Sequence, residues 1–200
     1  EDTFYIDGAT DDLTTIHAGE DKDNFYFDKN TEFSNNFFAK GEGGDDEFTV
    51  NASIGNTFLN IQGGNGSDTL YGSDNADHYG WNSTDFVTSS ISTNSAILNA
   101  QGDFSNISNV ADSFFTNIES VDSSFGNDTF YIGGDPTSTI TLNGNNGNDE
   151  FNFDYALTSS ITGLGGNGND TFNFVQSPSA SGVLTLHGNN GVDTFNFNSD

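Results

Sequence analysis

Aspartate residues recur along the chain at a nearly constant interval, each after a short turn-like stretch that is mostly rich in glycine and asparagine. Eight of them align at positions 2, 23, 46, 68, 128, 149, 170 and 193, with spacings of 21–23 residues except for one gap of 60. A carboxylate in such a setting can bind a hard cation, act as an acid or base, or simply occupy a solvated turn, because Asp, Asn and Gly all favour turns. Eight copies at a fixed interval favour one shared role over a set of unrelated turns.

Acid–base catalysis is the least supported of these roles. Neighbouring carboxylates such as Asp45 and Asp46 would need a cleft that holds them about 5–10 Å apart to act as a glycosidase pair, and the sequence gives no sign of a cleft. The chain also lacks the nucleophile elbow of hydrolases, the His-Glu-x-x-His motif and the phosphate-binding loop. We therefore expect that these residues do not form an enzyme.

Charge and composition exclude further classes of function. The 200 residues hold 3 Lys and Arg against 30 Asp and Glu, which gives a formal net charge of −27. We expect no nucleic-acid partner and no membrane insertion, since the chain offers neither a cationic surface nor the roughly 20 consecutive apolar residues of a membrane span. Cysteine is absent, which removes disulfides and thiolate metal sites. The chain starts without methionine and ends within a repeat, so we expect it to be a segment of a longer protein.

Apolar residues at fixed offsets from the aspartates predict the strands that position them. Pairs such as Phe151/Phe153 stand two and four residues after the aspartate, and pairs such as Ile140/Leu142 stand nine and seven residues before it. Alternation of apolar and polar residues indicates strands with one buried face. Each repeat is thus a strand, a turn that carries the aspartate, a second strand and a polar return.

Stacked copies of this unit predict an all-β fold, a parallel β-solenoid with coils of 21–23 residues. Stacking buries apolar faces that one hairpin could not bury, and it places the turns in a row along one edge. A β-sandwich is the alternative, and it is disfavoured because sandwiches do not repeat their turn sequence. The repeats fill residues 1–77 and 119–200, while the segment 78–118 lacks the period and is either a set of degenerate coils or an insertion.

The turn sequence resembles that of the RTX family, whose calcium-binding nonapeptide reads G-G-x-G-x-D-x-U-x with U a large apolar residue. Residues 63–71 (GGNGSDTLY) fit this pattern at every position, and 144–153, 165–174 and 188–197 are one motif repeated three times. The resemblance covers the chain except about 78–113. RTX blocks repeat every nine residues with ions along both edges, so this chain is similar to a one-turn-per-coil variant of them.

The resemblance implies calcium ligands in every repeat, with the aspartate side chain and the backbone carbonyls of the glycines as donors. The residues concerned are Asp23, Asp46, Asp68, Asp128, Asp149, Asp170, Asp193, Gly63, Gly66, Gly144, Gly147, Gly165, Gly168, Gly188 and Gly191. Stacking supports this role, because coils about 4.8 Å apart let one ion, which prefers oxygens at about 2.3–2.6 Å, lie between successive turns. Without a cation, the row of carboxylates would push the coils apart.

The expected function is a calcium-stabilised structural segment of a secreted bacterial surface protein, such as an adhesin, a surface layer or an extracellular filament. Calcium ions are the expected partners, together with self-association or a cell-surface glycan, and export is expected to use type I secretion. Two alternatives stay open. One is a block appended to a secreted hydrolase or toxin, and the other is a solenoid that binds glycan or ice through an outward row of asparagines.

Overall fold

The fold is known from a computed structural model, which describes residues 1–10, 12–28, 31–33, 37–51, 59–72, 78–82, 114–116, 118–133, 139–153, 159–174 and 182–197. These residues form strands and turns, with no helix among them. The strands pair in parallel, and within each block of repeats the paired residues lie one coil apart, as Thr3 with Asn24 and Thr171 with Thr194. The predicted parallel β-solenoid is confirmed.

The strands belong to four sheets. In chain order they are β1 (Thr3–Ile6), β2 (Ala9–Thr10), β3 (Thr14–Gly19), β4 (Asn24–Phe27), β5 (Glu32–Phe33), β6 (Phe37–Gly43), β7 (Glu47–Val50), β8 (Leu59–Asn65), β9 (Thr69–Tyr71), β10 (His78–Asn82), β11 (Phe114–Thr116), β12 (Ser120–Asp122), β13 (Thr129–Gly133), β14 (Ile140–Asn146), β15 (Glu150–Phe153), β16 (Ile161–Asn167), β17 (Thr171–Phe174), β18 (Leu184–Asn190) and β19 (Thr194–Phe197). The long sheet has the spatial order β1-β4-β7-β9-β12-β14-β16-β18. The C-terminal sheet has the order β10-β13-β15-β17-β19, the N-terminal sheet has the order β11-β8-β6-β3, and β2 pairs with β5.

The long sheet is built from two different halves of the repeat. Strands β1, β4, β7 and β9 begin directly after an aspartate, whereas β14, β16 and β18 lead into the turn that carries one. Strand β12 joins the two kinds, because Val121 pairs with Leu70 of β9 on one side and with Leu142 of β14 on the other. The repeats before and after β12 are therefore half a coil out of phase.

This half-coil shift divides the aspartate turns into two rows. Since the strands of the long sheet run in one direction, turns that precede its strands and turns that follow them lie at opposite edges. The first row carries the aspartates at 2, 23, 46 and 68, and the second row carries those at 128, 149, 170 and 193. The prediction of a single row along one edge is wrong. At β12 the long sheet changes from strands that follow the aspartate turn to strands that precede it.

Phenylalanine ladders fill the interior. In the second block of repeats the rings of Phe130, Phe151, Phe172 and Phe195 stack in turn with centroids 4.6–4.7 Å apart. Within each strand the residue that follows this phenylalanine faces outward, as Asn173 does after Phe172. On this outer face the side-chain amide of Asn196 donates to Oδ1 of Asn173 at 2.7 Å. The predicted inward and outward assignments are confirmed for β13, β15 and β17, whereas in β19, the last described strand, the ring of Phe195 is 41% exposed. The stacked rings add to the stabilisation from apolar burial.

The described parts of the segment 78–118 include strands of the solenoid. Strand β10 pairs with β13 in the C-terminal sheet, and β11 pairs with β8 in the N-terminal sheet. Residues 83–113 lie outside the described residues. For residues 83–113, degenerate coils and an insertion both stay open as predictions.

Candidate metal centre

Each turn of the second row contains two positions with left-handed backbone. In the turn that ends at Asp170, Gly166 and Gly168 have φ values of 113° and 141°, which glycine adopts without strain. Asn145 stands at the position of Gly166 with φ 64°, as expected for asparagine. At Gly168 a Cβ would lie 1.5 Å from the carbonyl oxygen of Gly147 in the preceding coil. Close stacking of the turns therefore requires glycine at this second position.

A ladder of hydrogen bonds joins the aspartates of successive coils. In the second row the backbone N–H of Asp128 donates to Oδ1 of Asp149, and that of Asp149 donates to Oδ1 of Asp170, both at 2.8 Å. The first row has the same bond from Asp23 to Asp46 at 2.8 Å. Each of these bonds has a carboxylate acceptor, which makes it stronger than a neutral hydrogen bond. One oxygen of the aspartate thus holds adjacent coils in register.

The second carboxylate oxygen, Oδ2, has no hydrogen-bond partner at Asp23, Asp46, Asp68, Asp149 or Asp170. All five of these aspartates are at most 1% exposed. An ionised oxygen that is buried without a partner is costly unless a proton or a cation meets it. Both rows therefore contain buried oxygen atoms that lack a positive partner.

At Asp46, Asp149 and Asp170, Oδ2 lies close to the glycine five residues earlier in the chain. Oδ2 of Asp149 lies 2.3 Å from the point where a Cβ of Gly144 would be, and the carbonyl oxygen of Gly165 lies 2.7 Å from the same point. At Gly165 the corresponding distances are 2.2 Å to Oδ2 of Asp170 and 2.7 Å to the carbonyl oxygen of Gly188. A carboxylate oxygen and a carbonyl oxygen from adjacent coils thus converge beside each of these glycines.

Burial raises the pKa of four carboxyl groups in the rows. Desolvation is the largest cause both for Asp68, whose pKa rises to about 7, and for Asp149, whose pKa rises to about 6. The same cause raises the pKa values of Asp46 and Asp170. In every case the N–H donor from the neighbouring coil opposes the rise, and adjacent carboxylates add to it. A proton or a metal cation at these groups would relieve the cost of burying their charge.

Asparagines form two further ladders beside the second row. The N–H of Asn148 donates to Oδ1 of Asn127, and the N–H of Asn169 donates to Oδ1 of Asn148, both at 2.8 Å. The side-chain amide of Asn167 donates to Oδ1 of Asn146 at 2.9 Å. In the sequence, these ladders correspond to asparagines that stand one and three residues before the aspartate. The turn pattern treats those positions as variable or as occupied by a substitute for glycine.

The predicted site residues lie in two rows rather than at one centre. The first row holds Asp23, Asp46, Asp68, Gly63 and Gly66, and the second holds Asp128, Asp149, Asp170, Asp193, Gly144, Gly147, Gly165, Gly168, Gly188 and Gly191. Within the described residues, no group of three or more His, Cys, Asp or Glu side chains could hold a metal ion. A cation at these turns would need backbone carbonyls to complete its shell, and a donor set made only of oxygen suits calcium.

Comparisons of the chain with protein-family models, with curated proteins and with solved structures found no match. The likeness to the RTX family therefore depends on the turn sequence alone. In the described residues, no helix has the length and apolar character needed to span a membrane.

Proposed function

We propose that this chain is a calcium-binding segment whose solenoid is stabilised by the ion. The observation that carries the proposal is the set of buried Oδ2 atoms without a partner at Asp23, Asp46, Asp68, Asp149 and Asp170. A divalent cation between successive turns would give these oxygens a partner and would neutralise charge that accumulates along each row. The resemblance of the turns to the RTX nonapeptide supports the same function.

Donor chemistry supports calcium over other metal ions. The turns offer carboxylate and carbonyl oxygens, and the chain has no cysteine, whereas zinc and copper sites use sulfur and nitrogen ligands. Magnesium demands near-ideal octahedral geometry and keeps several of its waters, which conflicts with a donor oxygen that is shut off from solvent. Calcium accepts roughly 6–8 oxygens in variable geometry, so it can combine carboxylate, carbonyl and water ligands.

The proposed role is structural rather than catalytic, in the stalk or wall of a secreted bacterial surface protein such as an adhesin, a surface layer or a filament. Weak sites made of oxygen ligands fill at the millimolar calcium found outside cells and stay empty in the cytosol. The net charge of −27 opposes compaction until cations bind. Type I export and contact with further copies or with cell-surface glycan complete the proposal.

Calcium titration of metal-stripped protein tests this function. Circular dichroism should show little β-structure in the stripped protein and its recovery when calcium is added, because binding free energy becomes folding free energy when the site exists only in the fold. Magnesium at the same concentration is the control and should restore less structure. A β-rich spectrum that calcium leaves unchanged, in protein shown to be free of metal, would reject the proposal.

An open depression beside the second row supports a second candidate function, the binding of a polyhydroxylated ligand such as a glycan. Its volume is about 430 Å³, and it is lined by Asn143, Asn145, Asn146, Gly166, Asn167, Asn189 and Asn190. Carboxamides both donate and accept hydrogen bonds, as recognition of hydroxyl groups requires. A glycan array probed with the parent and with Asn167→Ala tests this candidate, which predicts signals in the parent that the variant loses.

A further inference from the structure

The first row does not end at the last aspartate of its motif. The N–H of Thr69 donates to the carbonyl oxygen of Asp46 at 2.9 Å, and in the next coil the N–H of Ser120 donates to the carbonyl oxygen of Asp68 at 3.0 Å. Ser120 also pairs with Thr69 in the long sheet. Glu119 therefore occupies the backbone position that an aspartate occupies in the preceding coils.

The side chain of Glu119 also makes the contact that defines the row. The N–H of Asp46 donates to Oδ1 of Asp68 at 2.9 Å, and the N–H of Asp68 donates to Oε2 of Glu119 at 3.0 Å. A glutamate thus takes the place of the aspartate, although no glycine-rich motif precedes it in the sequence. The carboxylate of Glu119 is also among the charges that raise the pKa of Asp68, after desolvation and the carboxylate of Asp46.

The following coil explains why the row stops at this point. Thr141 pairs with Ser120, so the next residue at the row position is Ile140. Ile140 is 1% exposed and belongs to the apolar core, and its side chain has no oxygen to offer. Glu119 is therefore the last carboxylate of the first row.

We propose that Glu119 is a metal ligand that, together with Asp68, completes the terminal calcium site of the first row. The inference rests on the function proposed above. Its independent support is Oδ2 of Asp68, which is buried without a partner in a residue that is 0% exposed and whose N–H donates to Glu119. The charge and oxygen donors at this position suit the same divalent cation as the other turns.

The substitution Glu119→Gln tests the assignment. Glutamine keeps an oxygen that can accept the N–H of Asp68 but removes the charge that favours a cation. The matched control is Glu150→Gln, because Glu150 is exposed, follows Asp149 in the second row and accepts a hydrogen bond from Asn173 at 3.0 Å. Isothermal titration with calcium should show one ion fewer per chain for Glu119→Gln than for the parent, and the parent number for Glu150→Gln.

The other outcomes are distinct from one another. Equal ion numbers and affinities in Glu119→Gln and the parent would overturn the assignment and leave calcium binding intact. An equal loss in both variants would overturn it too, since it would reflect net charge alone. A parent that binds no calcium would reject the proposed function and this inference with it. Should Glu119→Gln not fold, Glu119→Asp decides, because it keeps the charge but moves the carboxylate by one methylene: a changed affinity at one site supports the assignment, and ion numbers and affinities equal to those of the parent contradict it.

Discussion

The two oxygens of a row aspartate have different surroundings in the fold. At Asp149, Oδ1 accepts the N–H of Asp128, while Oδ2 is buried without a partner. The first contact favours the ionised carboxylate, and desolvation of the whole group favours the protonated one. Desolvation prevails at Asp149, since its pKa is raised to about 6. These residues therefore link the stability of the fold to pH.

Acidification should stabilise the metal-free fold. The pKa values of Asp68 and Asp149 rise in the fold to about 7 and about 6 from a usual value of 3.8, so between those limits the folded chain binds more protons than the unfolded chain. The resulting stabilisation is fully present below about pH 4 and is lost as the pH rises through the folded pKa values. Metal-free protein brought from about pH 8 to about pH 5 should therefore gain β-structure, which circular dichroism measures.

Calcium provides the control for this experiment. A bound cation stabilises the ionised carboxylates and lowers their pKa, so in saturating calcium the β-structure should change little over the same pH range. Metal-free protein that loses β-structure as the pH falls over this range would contradict the raised pKa values.

At the scale of strands, the fold depends on identical side chains stacked between coils. Phe172 is fully buried, and its ring lies 4.6 Å from that of Phe151 and 4.7 Å from that of Phe195. We expect Phe172→Ala to lower the free energy of unfolding by about 3–5 kcal/mol. The adjacent change Asn173→Ala, on the outer face of the same strand, should cost less than about 1 kcal/mol. Chemical denaturation in saturating calcium measures both, and equal losses would contradict the inward and outward assignment.

The turns between strands should tolerate no side chain at Gly168. Its φ is 141°, and a Cβ would lie 1.5 Å from the carbonyl oxygen of Gly147, so we expect Gly168→Ala to cost at least about 3 kcal/mol. Gly19 is the matched control, because its φ of 123° is also left-handed but no atom lies within 4 Å of its Cβ position. Gly19→Ala should therefore cost only the backbone strain, about 1–2 kcal/mol. Similar losses of unfolding free energy in the two variants would mean that contact between coils does not restrict the turn.

The strands and turns could be predicted from the sequence because both are local patterns. Alternation places Phe172 inward and Asn173 outward, and the glycines mark the bends. The half-coil shift could not be predicted in this way, since the strands before and after the aspartate alternate with the same period of two and are chemically alike. Glu119 was missed for a related reason: its place in the row follows from the pairing of Ser120 with Thr69 and not from neighbouring residues.

At the scale of the whole molecule, the two rows should respond separately to substitution. The pair Asp149→Asn and Asp170→Asn removes charge from the second row, and the pair Asp46→Asn and Asp68→Asn does the same in the first row. Because the rows lie at opposite edges, each double variant should lose amide protection mainly around its own turns. Hydrogen exchange at limiting calcium measures this difference. Equal loss of protection in both rows, whichever pair is changed, would show that they act as one site.

The half-coil shift at strand β12 affects how such a chain can change in length. Because the long sheet accepts either half of the repeat next to Ser120–Asp122, the smallest unit that genetic duplication or deletion can add or remove is half a coil. A change by an odd number of halves moves every later turn to the opposite edge while the sheet stays continuous. Related chains could therefore differ in which edge carries their carboxylates while keeping the same interior.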